Sequence, residues 1–343
     1  MPLDYKAAGV DIDNADATKG RMAEVLQSSD SRVLNRLGAF GSLFQAKFPG
    51  IADPVLVLKS EEPGSKQLLA HKYGRHRSIA FDTINHLIND IAVMGATPLV
   101  ALDTIVIGKI NKEVVMQLVT GMSEACQEQG CTLVGGETSE QPGVLEQDRY
   151  VLTATAVGVV DRERITDGSK IQVGDTVIAL AANGLHTNGY SLVRKLLEKH
   201  PGLEQEEVGG ETFLEAIMKP HLCYYRGLQK VFPNSALVGL AHITGGGIRD
   251  NLKRVLPAQV DAQVDLSRLR IPPVFRTVRE RAEATDEEML HVYNLGVGMV
   301  VVARAEGAGK IINELQASGY GAYEIGQTTV GSGEVQFRGS LKW

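Results

Sequence analysis

The chain has only three cysteines, Cys126, Cys131 and Cys223, and no two of them have CxxC spacing. An odd number without that spacing excludes a disulfide framework and a cysteine-rich zinc site; it suits reduced, mostly buried thiols in a cytoplasmic protein. No apolar run approaches the roughly 18 residues that a membrane span requires. The opening "MPLDYKAAGVDID" is acidic and lacks an apolar core, so it does not read as a signal peptide. There is no long basic run either. Lys and Arg total 35 against 41 Asp and Glu, a formal charge of −6. That balance argues against sequence-independent nucleic-acid binding, which needs clustered Lys and Arg. No fixed-period repeat, low-complexity tract, Ser-His-Asp or Cys-His arrangement is visible.

What is present is ordinary globular material. The 343 residues suggest two domains, and 43% apolar with 22% charged residues is enough for large cores. Strands are expected at 53–60, 99–108, 131–136, 150–160, from 176 onward, and 297–303. Helical spacing appears at 78–95, 112–130, 191–200, 213–232, 248–256 and 305–319, and Gly95 and Pro98 stop the first of these. The turn-rich "DRERITDGSKIQVGD" (161–175) is the best boundary, dividing 1–169 from 170–343.

Four glycine- or acid-bearing corners carry unusual chemistry. "LGAFGSLF" (37–44) has glycines that would let backbone amides approach a phosphate, although a plain turn explains them as well. "KSEEPGSK" (59–66) resembles the end of a phosphate loop but lacks the first glycine of a Walker A motif, and its Ser precedes the Lys, so that assignment fails. Asp90, Asp103, Glu137 and Glu140 lie near strand ends or glycines. Hard oxygen ligands so placed suit Mg²⁺ and substrate phosphates; solvated turn acids or helix caps are the plain alternative. In the second half, "NGLHTNGYS" (183–191) and "HITGGGIRDN" (242–251) feed helices through glycine turns, an arrangement that favours anions. His186 and His242 there have no metal-ligand spacing to another His and are either ligand contacts or turn histidines. Scattered acids, glycine corners and one lysine suit positioning and charge neutralisation, the main needs of phosphoryl transfer.

The order of these motifs resembles the phosphoribosylformylglycinamidine cyclo-ligase (AIR synthetase) family over nearly the whole chain. The resemblance rests on "YKAAGVDID", "GAFGSLF", "NDIAVMGATPL", "GCTLVGGETSEQPG", "VGVVDRERITDGSKIQVGD", "GLHTNGYSLVRK", "HITGGGIRDNLKRVLP" and "NLGVGMVVV". It implies a two-domain α+β fold, with N-terminal domains that pair across a homodimer and a C-terminal α+β domain. The implied reaction is ATP-dependent ring closure of formylglycinamidine ribonucleotide to aminoimidazole ribonucleotide, with ATP and Mg²⁺ as cofactors. Carried over by motif, the metal ligands are Glu61, Asp90 and Glu137, and the catalytic residues are Lys66, Asp90 and His186. The nucleotide contacts are Gly38, Phe40, Gly41, Gly64, Ser65, Lys66, Asn89, Asp103, Gly135, Gly136 and Thr138. The substrate contacts are His186, Asn188, Gly189, Thr244, Gly245, Gly246 and Gly247, while Glu140 either joins the metal or caps its turn.

One departure stands out. Relatives read G-T-D-G-V-G-T-K where this chain reads "KSEEPGSK", so the acid becomes Glu61, a glycine becomes Glu62, and Pro63 follows. Glycine freedom is lost and a negative charge is added beside the expected triphosphate. Three readings follow: a working cyclo-ligase with an adjusted metal site, another ATP-using enzyme of the superfamily, or a paralogue that binds nucleotide or a partner without turnover.

Overall fold

Glycine-punctuated apolar segments alternate along the chain, and they condense into two compact units. The structure, a computed structural model, describes residues 18, 21–22, 30–35 and 40–343. Gly38 and the motif at 5–13 lie outside these. Among the described residues, the first unit comprises those up to Ile91 together with Thr97–Arg162; the second comprises Ala92–Ala96 and Glu163–Trp343.

The first unit is built on four strands: β1 (Pro54–Glu61), β2 (Thr97–Ile107), β3 (Thr132–Glu140) and β4 (Tyr150–Asp161). Their order is β1-β4-β2-β3, with β4 antiparallel to both neighbours and β2 parallel to β3. A parallel pair needs a crossover. Helix α3 (Lys112–Glu128) supplies it, its first turn capped by Asn111, whose side chain accepts from the Glu113 and Val114 amides. Between β1 and β2 come α1 (Lys66–Lys72) and α2 (His76–Ala92). On α2, Ile79, Ile84, Leu87, Ile88 and Ile91 are all fully buried, as their helical spacing requires.

Strand β3 corrects the sequence reading. The strand was expected to end at Gly136, leaving Glu137 and Glu140 beyond it. Instead β3 runs through both, because β2 offers a partner to every residue from Gly135 to Glu140. A bulge between Leu133 and Gly135 absorbs Val134. Alternation on β2 separates the faces: Ala101, Asp103, Ile105 and Ile107 are buried, and Leu102 between them is exposed. Leu56, Leu58 and Val151 are exposed on the same open face as Leu102. One end of that face is covered, where Val33, Phe44, Phe48 and Ile51 pack on Leu99, Val100, Val134 and Val159.

The second unit holds β5 (Thr176–Ala181), a short hairpin of β6 (Glu207–Val208) and β7 (Glu211–Thr212), β8 (Leu237–His242), β9 (Val260–Asp265), β10 (Val297–Ala303), β11 (Ala322–Val330) and β12 (Val335–Arg338). Its main sheet has the order β12-β9-β11-β5-β10-β8, antiparallel except where β12 joins β9. All of β10 is buried, which explains its unbroken apolar run "VGMVVVA". Seven helices flank these strands in sequence: α4 (Tyr190–Lys199), α5 (Phe213–Met218), α6 (Tyr225–Val231), α7 (Gly247–Lys253), α8 (Pro273–Ala282), α9 (Asp286–Val292) and α10 (Ala305–Ala317). The single helix expected over 213–232 is two. Pro220 has no amide to donate and its ring obstructs the preceding turn, so the chain breaks between α5 and α6. That break brings His221 into the interior.

Candidate active site

Register places four residues in one row across the first unit's sheet: Glu61 on β1 faces Ala154 on β4, which faces Asp103 on β2, which faces Gly136 on β3. At about 4.8 Å per strand, Glu61 and Asp103 stand roughly 10 Å apart. Asp103 is 2% exposed, and among the described residues neither of its carboxylate oxygens has a hydrogen-bond partner. Burial pushes its carboxyl up to about 7; its own amide pulls the other way, and the nearby Glu137 charge adds to the rise. The Thr138 hydroxyl is likewise buried without a partner. Gly136 is needed here, because a Cβ at that position would lie 2.3 Å from both the Asp103 carbonyl and its Oδ1. Glu137 is the next residue and is exposed. Glu140 is engaged elsewhere, as Oε1 accepts at 2.6 Å from the Ile110 amide in the loop after β2, not from its own turn.

Glu61 and Asp90 meet differently. Lys59 and Glu61 alternate onto one side of β1, and the last turns of α2 bring Asp90 and His86 to them. The Lys59 ammonium bridges the two acids, 2.9 Å from Glu61 Oε2 and 3.1 Å from Asp90 Oδ2. His86 Nε2 lies 3.8 Å from each of the same oxygens. Burial lowers the Lys59 pKa, but the hydrogen bonds and charges of Glu61 and Asp90 outweigh it and raise the ammonium above its usual value.

Lys66 was expected in an accessible loop. It is the first residue of α1 and is wholly buried, its ammonium 2.8 Å from an equally buried Asp82 on α2. Burial pulls the Lys66 pKa down, and Asp82 offsets that only in part. Gly64 turns the chain into α1 with φ of 62°, and its carbonyl accepts from the Gln67 amide at 3.2 Å. Ser65 sits at the helix N-cap without a side-chain capping bond. Glu62 is exposed and accepts from Gln67 Nε2 at 3.2 Å. Asn89 is fully buried on α2. In the first glycine corner, Phe40 is fully exposed, Asn35 Nδ2 donates to the Gly41 carbonyl at 2.7 Å, and Ser42 Oγ donates to the Val134 carbonyl at 2.8 Å.

The second unit gathers its own predicted residues. Gly189 caps α4 with φ of 77°, and the Tyr293 hydroxyl donates to its carbonyl at 3.1 Å. The glycine run 245–247 turns into α7 under the hold of Asn251, whose Nδ2 donates to the carbonyls of Gly245 at 3.1 Å and Gly247 at 2.8 Å. Thr244 Oγ1 donates to Asn251 Oδ1 at 3.3 Å. Asn188 borders this turn, since a Cβ on Gly245 would be 3.3 Å from Asn188 Oδ1. His186 is buried with φ of 59° and stacks on His221 at 3.9 Å between ring centroids. His221 Nε2 is 2.9 Å from His242 Nε2, so one ring donates and the other accepts.

Sequence reading missed Lys59, Asp82, His86, His221 and Asn251. Asp82 had a signal, an acid two residues before the apolar helical spacing that begins at Ile84. Asn251, four residues after the last glycine of the triple run, had one too.

With this geometry in place, known proteins give the class. Residues 53–160 match the family described as AIR synthase related protein, N-terminal domain, and residues 172–338 match its C-terminal domain. The fold is shared, at 18% identity and a TM-score of 0.64, by thiamine-monophosphate kinase from Stenotrophomonas maltophilia K279a, covering 94% of this chain and 96% of that one. It is also shared by hydrogenase maturation protein HypE in complex with ATP, at 15% identity and a TM-score of 0.65, covering 92% and 88%. Two AIR synthase related modules in one chain therefore define the architecture. The phosphoribosylformylglycinamidine cyclo-ligase of Bacillus thuringiensis (strain Al Hakam) is 38% identical over 339 residues, 98% of each chain. The chain belongs to the phosphoribosylformylglycinamidine cyclo-ligase family.

Proposed function

We propose that the chain is a working cyclo-ligase that converts formylglycinamidine ribonucleotide and ATP to aminoimidazole ribonucleotide, ADP and phosphate. Beyond family membership, the observation that carries this reading is Asp103: a buried carboxyl whose two oxygens lack hydrogen-bond partners among the described residues, its pKa raised by burial and further by the nearby Glu137 charge. An isolated buried charge is strongly unfavourable, so the acid row fits a cation. Asp103, with the Thr138 hydroxyl on the same face of the sheet, would hold Mg²⁺, and the nearby Glu137 charge would add to the attraction. When bound, Mg²⁺ supplies the charge neutralisation that phosphoryl transfer demands.

The chemistry then runs in two steps. The formyl oxygen attacks the γ-phosphorus, the bond to the bridging oxygen breaks, and ADP leaves. An amidine nitrogen next attacks the activated carbon, the C–O bond breaks, phosphate departs, and proton loss gives the aromatic ring. Phe40, Gly41, Gly64, Ser65, Asn89, Gly135 and Gly136 are assigned to nucleotide placement, and a fold relative solved with ATP supports a nucleotide here. Lys66 is a positioning residue: its pair with Asp82 ties α1 to α2. His186, Asn188, Gly189 and Thr244 to Gly247 are assigned to the ribonucleotide. The altered-substrate and non-catalytic alternatives rest on the departure at 59–66, and 38% identity to a cyclo-ligase over 98% of the chain favours the working enzyme over both.

Pairing with a second copy is assigned to the open face of the first sheet, and the exposure of Leu56 (53%) and Leu58 (68%) there supports it. A contiguous apolar face of this kind marks an interaction surface. The described residues hold no helix long and apolar enough to cross a membrane, and all three cysteines are buried free thiols, in keeping with the cytoplasm. Incubating the purified chain with the ribonucleotide, ATP and Mg²⁺ tests the reading: ring formation coupled to phosphate release is expected, and nucleotide binding without product would overturn it.

A further inference from the structure

We propose that Lys59 is a tethered cation that occupies the Glu61–Asp90 carboxylate pair in place of a divalent ion. The inference rests on the reading that this end of the sheet serves a cation. It starts from β1, where alternation puts Lys59 and Glu61 on one side of the strand. Asp90 and His86 stand one helical turn apart on α2 and reach the same side. The ammonium lies within hydrogen-bonding distance of both acids, at 2.9 and 3.1 Å. Two carboxylates and one ammonium leave a single negative charge there, and His86 faces both acids at 3.8 Å without a formal charge of its own while neutral.

A divalent ion using both oxygens would have to sit where the ammonium sits. Keeping Lys59 nearby would set a cation against a dication a few ångströms away, which is strongly repulsive at the low effective dielectric of a partly buried site. Moving Lys59 out would break two charge-assisted hydrogen bonds. Either way the pair loses affinity for a divalent ion. The row at Asp103 is different, because among the described residues no side chain hydrogen-bonds its oxygens. The chain therefore divides the work between a fixed monovalent charge at Glu61 and Asp90 and an exchangeable divalent ion at Asp103. Within the unusual "KSEEPGSK" loop, Lys59 supplies the counter-charge for Glu61, while the added Glu62 is held by Gln67 instead.

The test is Mn²⁺ titration of the full, nucleotide-free chain, read by the electron paramagnetic resonance of free Mn²⁺. Lys59→Met is expected to bind one more Mn²⁺ per chain than wild type, at least tenfold tighter than any corresponding wild-type event. Lys59→Arg is expected to match wild type, and Lys59→Met/Asp90→Asn to lose the gain. Should the Met variant fold poorly by circular dichroism, Lys59→Gln gives the same reading. Superimposable titrations of wild type and Lys59→Met would overturn the proposal. Asp103→Asn separates it from the broader reading: if that variant leaves the wild-type Mn²⁺ in place while Lys59→Met still gains one, Asp103 is not the divalent site and the tethered-cation proposal stands.

Discussion

Replacing Lys66 by Met asks how much of the first unit rests on one buried ion pair. Lys66 and Asp82 are both wholly buried, 2.8 Å apart. Methionine keeps the apolar stem and deletes the charge, leaving Asp82 in the interior without its cation. Breaking a buried pair from one side typically removes about 3–5 kcal/mol. Alanine would add the loss of about three buried methylenes, at about 0.8 kcal/mol each. Against a typical domain stability of about 5–15 kcal/mol, the Ala variant would fold marginally and the Met variant measurably. For a urea m-value of about 2 kcal/mol/M, the Met variant's midpoint falls by about 1.5–2.5 M. Adding Asp82→Leu to Lys66→Met is expected to recover most of the loss, since an apolar pair no longer strands a charge. A midpoint within about 0.5 M of wild type for Lys66→Met alone would refute the reasoning, because it would mean that Asp82 finds another neutralising partner or protonates at little cost.

The remaining expectations concern the acid row and the open face. Asp103 has a folded pKa of about 7 against 3.8 ordinarily, so the stability it lends is full below 3.8 and is lost as pH rises through 7. In metal-free buffer, wild type should therefore lose stability between pH 5 and 8 relative to Asp103→Asn, by at most about 2.5 kcal/mol, and Mg²⁺ should restore it at pH 8; parallel urea curves at both pH values would contradict this. Gly136→Ala forces a methyl group to within 2.3 Å of Asp103, so it should destabilise the chain by at least about 2 kcal/mol in urea and weaken Mn²⁺ binding at least tenfold. Leu58→Glu on the open face should shift the sedimentation profile from dimer to monomer, and an unchanged profile would move the interface elsewhere.

Much of the fold could be read from local pattern. The spacing of Ile84, Leu87, Ile88 and Ile91 gave α2, and the unbroken run at 297–303 gave β10, because both signals come from burial of side chains close in sequence. The end of β3 could not be read that way. Its glycines look like a loop until β2, contributed from before the α3 crossover, supplies a partner residue by residue. The split at Pro220 was legible from the proline alone but was hidden by strong helical composition on both sides. In the site, the glycine corners and Asp103 were visible as residue types. The Lys59 bridge, the Lys66–Asp82 pair and the His221–His242 contact join residues from different elements, and only the packed chain brings them together.

The most direct measurement is the stoichiometry of turnover: purified chain, formylglycinamidine ribonucleotide, ATP and Mg²⁺, with imidazole product, ADP and phosphate counted together. The account predicts one ADP and one phosphate for each ring closed, with turnover lost when Mg²⁺ is chelated. ATP hydrolysis without ring formation, or no turnover at all by the folded protein, would contradict it.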